Sequence, residues 1–162
     1  MEIYLNKSEA CETIGLQKQT LYDWMRAGRF IEPDVSVGRK PGGRVVQGYS
    51  RQRVIAFGQL CRLLDADGRA IPLGSGPQRC RPKAPYPSWW YVDTAHYLSK
   101  MDLAEMWGVT KGAIEMRAYR GRMPAAAVAV GVTGGAVVYG FTEDEVNKFA
   151  RQHDLPAKMA VP

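Results

Sequence analysis

The sequence lacks any apolar run near the roughly 18–20 residues that a membrane helix needs. Its start, Met1-Glu2-Ile3-Tyr4, has neither the basic nor the apolar region of a signal peptide. A chain outside the membrane is expected, in the cytoplasm, whether that of a host cell or around its nucleoid. Cysteine and histidine are scarce. The three cysteines, Cys11, Cys61 and Cys80, lie far apart with no CxxC pair, and His96 and His153 have no cysteine near them. That excludes a zinc site or a disulfide framework, and Cys11 and Cys61 read instead as small, reduced core residues. A phosphate-binding loop, a metal-ligand cluster and a nucleophile–base motif are also missing. A non-enzymatic protein without cofactor or metal is expected, with His96 a packing or surface residue and His153 part of the tail.

What the chain has is an ordinary globular composition, 46% hydrophobic and 23% charged over 162 residues. That length suits one medium domain or two small ones. The net charge of +6 is unevenly placed. Residues 1–30 and 91–162 are neutral, and the surplus sits between them. It is carried by Arg39, Lys40, Arg44, Arg51, Arg53 and Arg62, then by Arg69, Arg79, Arg81 and Lys83. A local basic patch is the electrostatic footprint of a polyanion, with solubility as the plainer reading.

The sequence also repeats itself. A shift of 93 residues superimposes Tyr4-Leu5 on Tyr97-Leu98, Lys7 on Lys100, Glu12 on Glu105 and Gly15 on Gly108. It also matches Lys18 with Lys111, Gly28-Arg29 with Gly121-Arg122, and Val35-x-Val37-Gly38 with Val128-x-Val130-Gly131. After a one-residue deletion, Gly42-Gly43, Val45-Val46, Gly48, Val54 and Phe57 fall on Gly134-Gly135, Val137-Val138, Gly140, Val146 and Phe149. A tandem duplication of a unit of about 55 residues follows.

Within each unit the local signals agree. Ala10, Cys11 and Ile14 share a helical face that Gly15 ends, and Leu21, Trp24 and Met25 mark a second short helix broken at Gly28. The second copy reads Leu103, Ala104, Trp107, Gly108, then Ala113, Ile114, Ala118, Gly121. Two short helices about a glycine-containing turn have the layout of a helix-turn-helix. Alternating valines around the Gly-Gly tips predict β-hairpins. Ser50 and Thr142 are placed as N-caps of closing helices.

The order helix, turn, helix, hairpin, helix resembles the winged helix-turn-helix of the MerR and excisionase superfamily. The residues carrying the resemblance are Leu5 to Ala10, Gly15-Leu16 and Arg26-Ala27-Gly28-Arg29. In the second copy they are Leu98, Leu103-Ala104, Gly108-Val109 and Arg120 to Pro124, with Tyr49-Ser50 or Phe141-Thr142 after each wing. The resemblance covers residues 3–62 and 96–152. It implies a mainly α fold with small β-hairpin wings (α+β), built as two tandem winged helix-turn-helix domains joined by a Pro-rich linker. The boundaries are 1–64, 65–90, 91–155 and a tail of 156–162.

The resemblance further implies that the second helix of each unit enters the major groove and the wing grips the backbone. The first unit's contacts would be Gln17, Lys18, Gln19, Thr20, Tyr22 and Arg26, then Arg39, Lys40 and Arg44 on the wing and Arg51 after it. Gln suits adenine edges, Lys suits guanine or phosphate, and Tyr suits phosphate. A solvated helix face and a solvated charged turn are the plainer readings. The second unit offers Thr110, Lys111, Arg117, Arg120 and Arg122, with Glu115 among them. Its wing tip, residues 132–136, is uncharged, its closing helix starts Glu143-Asp144-Glu145, and Arg117 stands where the first unit has Trp24. Strong DNA binding by the first unit is expected, with the second binding DNA weakly, differently, or binding a protein.

The connector, with Pro72, Pro77, Pro82, Pro85 and Pro87, reads as a semi-extended linker. Over residues 71–89 it would reach about 60 Å, past the roughly 34 Å between successive major-groove faces. Its Arg79-Cys80-Arg81-Pro82-Lys83 is similar to the AT-hook core, with Cys80 where that motif has Gly; a basic linker is the alternative. Trp89-Trp90-Tyr91 reads as an apolar clamp onto the second unit, or as a stacking surface. Sequence-specific binding of double-stranded DNA is the leading expectation, by a regulator or repressor or an excisionase-like recombination factor. DNA recognition in phage packaging, as in terminase small subunits, is an alternative. A protein adaptor acting through the second unit is another. No membrane partner is expected, and a covalent pseudo-dimer is possible.

Overall fold

Asn6 and Ser99, equivalent in the two repeats, each begin the first helix of their unit by the same device. The Asn6 Oδ1 accepts from the Glu9 N–H at 3.0 Å and a Glu9 carboxylate oxygen accepts from the Asn6 N–H at 2.9 Å. Ser99 and Asp102 repeat the box, which satisfies otherwise orphaned helix donors. A computed structural model of the protein describes residues 1–39, 44–72, 74, 79–132 and 136–156. The Gly42-Gly43 and Gly134-Gly135 tips lie outside them.

Each repeat runs strand, helix, helix, hairpin, helix. The first comprises β1 (Glu2–Tyr4), α1 (Lys7–Ile14), α2 (Lys18–Arg26), β2 (Val35–Val37), β3 (Val46–Gly48) and α3 (Arg51–Leu60). The second comprises β4 (Ala95–Tyr97), α4 (Lys100–Met106), α5 (Lys111–Tyr119), β5 (Val128–Val130), β6 (Val138–Gly140) and α6 (Glu143–Gln152). The architecture is α+β. Gly15 ends α1 at φ +66°, in the left-handed region that glycine enters without strain. Ser50 and Thr142 cap α3 and α6 through their hydroxyls. Among the described residues no helix is long and apolar enough to cross a membrane.

The units are joined by exchange. β1 of the first pairs in parallel with β5 of the second, in register Glu2 to Val128, and β4 of the second pairs in parallel with β2 of the first, in register Ala95 to Val35. Two three-stranded sheets result, β1-β5-β6 and β3-β2-β4. A contact in which each unit gives the other the same segment is isologous, so the repeats are related by an internal two-fold. Between the sheets Val35, Val37, Val128 and Val130 are buried together, with Tyr4 and Tyr97 against them. Each buried valine contributes about 1.5–3 kcal/mol, and all four do so across the boundary between units.

Gly48 and Gly140, matched by the repeat, lie where this crossing is tightest. A Cβ on Gly140 would stand 2.6 Å from Val128 Cγ2, 2.8 Å from Tyr97 Cβ and 3.0 Å from Val37 Cγ2. Gly48 would meet Val35, Tyr4 and Val130 in the same way. Gly140→Ala is expected to cost about 2 kcal/mol, lowering Tm by about 6 °C for a chain of this size. A thermal melt that Gly140→Ala leaves unchanged would contradict this packing.

The two main cores are alike but not copies. In the first, Trp24 of α2 meets Phe57 edge-on with ring centroids 6.0 Å apart. In the second, Arg117 holds the place of Trp24, and Trp107 stacks on Phe149 at 5.8 Å instead. Trp107 is the counterpart of Ile14, so the phenylalanine of each closing helix keeps a tryptophan neighbour while the helix supplying it changes. His153 lies 4.2 Å from the Phe149 ring centroid, part of this packing rather than a free tail.

The connector departs most from expectation. Trp90 is buried in the first core, 5.5 Å from Phe57 and stacked on Tyr86 at 4.1 Å. The clamp therefore fastens onto the first unit, not the second. Arg53 holds it there: Nε donates to the Trp89 carbonyl (3.0 Å), Nη2 to Trp90 (2.9 Å) and Nη1 to Glu32 (2.9 Å), with an ion pair to Asp34 at 2.9 Å. With strands exchanged in both directions, the connector's reach does not set the separation of the units. Cys11 and Cys61 are core residues, and burial pushes the Cys61 thiol up to about 12.

Candidate nucleic-acid interface

The helix α2 buries Leu21 and turns Lys18, Gln19, Tyr22 and Arg26 to solvent, with Gln17 exposed at its N-cap and Thr20 half-buried. The face is not uniformly basic. Asp23 accepts from Gln19 Nε2 at 3.2 Å and forms an ion pair with Arg26. The outward groups thus form a cation, an amide, a phenol and a bridged acid–base pair, a mixture suited to base edges as well as phosphate.

The first hairpin divides its charges. Arg44 is exposed and lines a cleft of about 590 Å³ with Tyr22 of α2 and Lys7 and Ser8 of α1. The cleft's other wall is the second hairpin, through Val130, Ala136 and Val138. Arg39 is half-buried and engaged with the other unit, where its guanidinium pairs with Glu143 and its N–H donates to an Asp102 carboxylate oxygen at 3.3 Å. The equivalent bond runs back, from the Val132 N–H to Glu9. The capping carboxylates Glu9 and Asp102, both buried, therefore hold the base of the opposite hairpin. Lys40 lies outside the described residues.

Arg51, exposed at the first position of α3, opposes the helix dipole, whereas Glu143, its counterpart on α6, complements it. Arg53, counted in the basic patch, is internal. Two further residues join the surface. Lys7 and Gln47 line the 590 Å³ cleft, a second of about 640 Å³ containing Arg39, and a third of about 440 Å³ containing Arg26. Lys7 was visible in the repeat as an identity with Lys100. Gln47 gave no signal, since the second unit carries Tyr139 there.

Arg79, Arg81 and Lys83 are exposed but line none of these three clefts. The AT-hook likeness fails on packing: Pro82 is buried, the Cys80 N–H donates to the Cys61 carbonyl at 3.0 Å, and its thiol to Leu60 at 3.1 Å. A segment that threads a minor groove has to present its backbone freely, and this one lies against the end of α3.

In the second unit Thr110 caps α5, its hydroxyl accepting from the Ala113 N–H at 3.2 Å, and Lys111 pairs with Glu115 at 3.8 Å. Arg117 is half-buried, while Arg120 and Arg122 are exposed beside Tyr119 at 88% exposure. Where the first unit has Tyr22, Arg26, Arg44 and Gln47, the second has Glu115, Tyr119, Ala136 and Tyr139. Three of these, with Lys100, line a cleft of about 460 Å³. No family model, no curated protein and no solved structure matches the chain.

Proposed function

We propose that the protein is a sequence-specific, non-enzymatic binder of double-stranded DNA, acting as a regulator or as an accessory factor that arranges DNA. In this reading each repeat is a winged helix-turn-helix. The helix α2 reads the major groove through Gln17, Lys18, Gln19 and Tyr22, and the first hairpin holds the backbone through Arg44. One observation carries it: Lys7, Tyr22 and Arg44, from the first helix, the second helix and the hairpin, line one cleft. Three elements converging on one polar surface is what backbone-plus-base recognition requires.

The internal two-fold adds a constraint on the target. Two units related by a dyad read half-sites of opposite orientation, as a dimer would on an operator. Because α2 and α5 differ at every outward position except Lys18 and Lys111, the two halves would differ in sequence. Selection of bound sequences from a random duplex pool with the full chain is expected to yield a strongly selected half-site with a weaker, dissimilar one at fixed spacing. Direct repeats at variable spacing, or no enriched sequence, would contradict the reading. A protein-binding role for the second unit is favoured by one observation, the Tyr119 and Tyr139 rings that line its cleft where the first unit has Arg26 and Gln47.

A further inference from the structure

The repeat places an equivalent groove on each unit, beside the end of the second helix. Phe30, Ile31 and Tyr49 line it in the first unit, Met123, Pro124 and Phe141 in the second, in clefts of about 440 Å³ and about 460 Å³. What differs is the cover. Tyr86, Trp90 and Tyr91 of the connector line the first groove, and Trp90 is buried in it at 1% exposure. The backbone there is fixed as well. The Glu32 N–H donates to the Trp90 carbonyl at 3.2 Å, and Arg53 donates to the Trp89 and Trp90 carbonyls. Among the described residues, none from outside the second unit lines the second groove.

The second groove keeps what receives such a segment. Two rings stand open along it, Tyr119 at 88% exposure and Tyr139 at 37%. Ala125, the counterpart of Glu32, is exposed, and its N–H has no acceptor among the described residues. A backbone edge left open beside an apolar groove is what an added extended segment uses. One residue changes sign: Glu145 stands in α6 where Arg53 stands in α3, and its ion pair with Lys148, at 3.9 Å and exposed, is weak. Lys100 and Glu115, both in the lining, offset each other. We propose that this groove docks an extended segment of a partner protein, with a tryptophan or tyrosine set on Met123, Pro124 and Phe141 and a lysine or arginine beside it for Glu145. The first unit's own connector is the template for the aromatic ring, and the change from Arg53 to Glu145 sets the charge. This goes beyond duplex recognition; it names the partner class for the protein-binding reading of the second unit, on which it rests.

The test is a titration of the full-length protein with synthetic peptides, followed by backbone amide resonances. The probes are the sequence of residues 85–92 carrying Trp89→Arg, the same sequence carrying Trp89→Glu, and the first of these with Trp90→Ala added. Saturable shifts at Tyr119, Ala125 and Tyr139 are expected with the first peptide. The glutamate peptide is expected to bind about fivefold more weakly, and the peptide without Trp90 at least about tenfold more weakly. Tyr119→Ala, at an exposed site, and Tyr139→Gln, which installs the first unit's residue, are each expected to weaken the first peptide about threefold. The absence of saturable shifts at these amides would overturn the proposal. So would equal affinities for the arginine and glutamate peptides or for those with and without Trp90, or an affinity unchanged in both protein variants. Shifts confined to another face of the second unit would retain a protein-binding role for that unit and reject this groove. Shifts here with a duplex oligonucleotide but with no peptide would assign the groove to nucleic acid and reject the peptide site.

Discussion

Alanine at Arg39, Lys40 and Arg44 together is expected to weaken duplex binding about 100-fold at moderate salt and to flatten the salt dependence by about two to three units of slope. Lys111→Ala with Arg120→Ala is expected to cost less than about threefold. The asymmetry has a structural basis. Arg44 is exposed and shares a cleft with Lys7 and Tyr22. Lys111 is paired with Glu115, and the second hairpin places Ala136 where the first has Arg44. Within the triple variant the contributions will be unequal. Arg39 already pairs with Glu143, so releasing it to a phosphate forfeits an existing partner, and Arg44→Ala alone should account for the largest single share. Filter binding or fluorescence anisotropy across a salt series checks both numbers. Equal losses in the two variants would contradict the division of labour between the units.

The second large effect is on folding. Val35→Asp is expected to cost at least about 4 kcal/mol, because it buries a carboxylate without a partner. Val35 is 1% exposed, on the strand that pairs with β4, and packs with Val128 and Val130 of the other unit. With typical net stabilities of about 5–15 kcal/mol, a loss of that size populates the unfolded state at ordinary temperatures. The shared sheets make the loss common to both units, so Trp24 and Trp107, one in each main core, should lose their native environments in one transition. A denaturant curve in which the second core unfolds separately, at its wild-type midpoint, would show the units to be independent and contradict the exchange of strands.

Much of this was legible because the chain states it twice. Gly15, Ser50 and Thr142 are local signals, and structure formed by neighbours in sequence obeys local rules. The duplication also marked Gly48, Gly140 and the four valines, though not why they matter. Their role depends on β1 and β4, three-residue strands too short to stand out, which pair with partners more than fifty residues away. Nothing local distinguishes a valine packing within its hairpin from one packing across to the other unit. The same limit misassigned Trp90, whose neighbours in sequence belong to the second unit's approach while its ring belongs to the first core. Arg53 looked like surface charge because Asp34, Glu32 and the Trp89 and Trp90 carbonyls come to it only in the folded chain. Lys7 was detectable as a repeated identity, whereas Gln47 becomes visible only when the two sheets are laid over each other.

The central claim is that this surface takes up duplex DNA through backbone charge arranged around a reading helix. Affinity of the full chain for duplex DNA, measured as a function of salt, tests it most directly. A fall in log K with log salt of slope about −3 to −5 is predicted, losing about one unit in Arg44→Ala, with a selected sequence bound more tightly than a scrambled one at every salt concentration. No binding at low salt, or a slope that Arg44→Ala leaves unchanged, would contradict it.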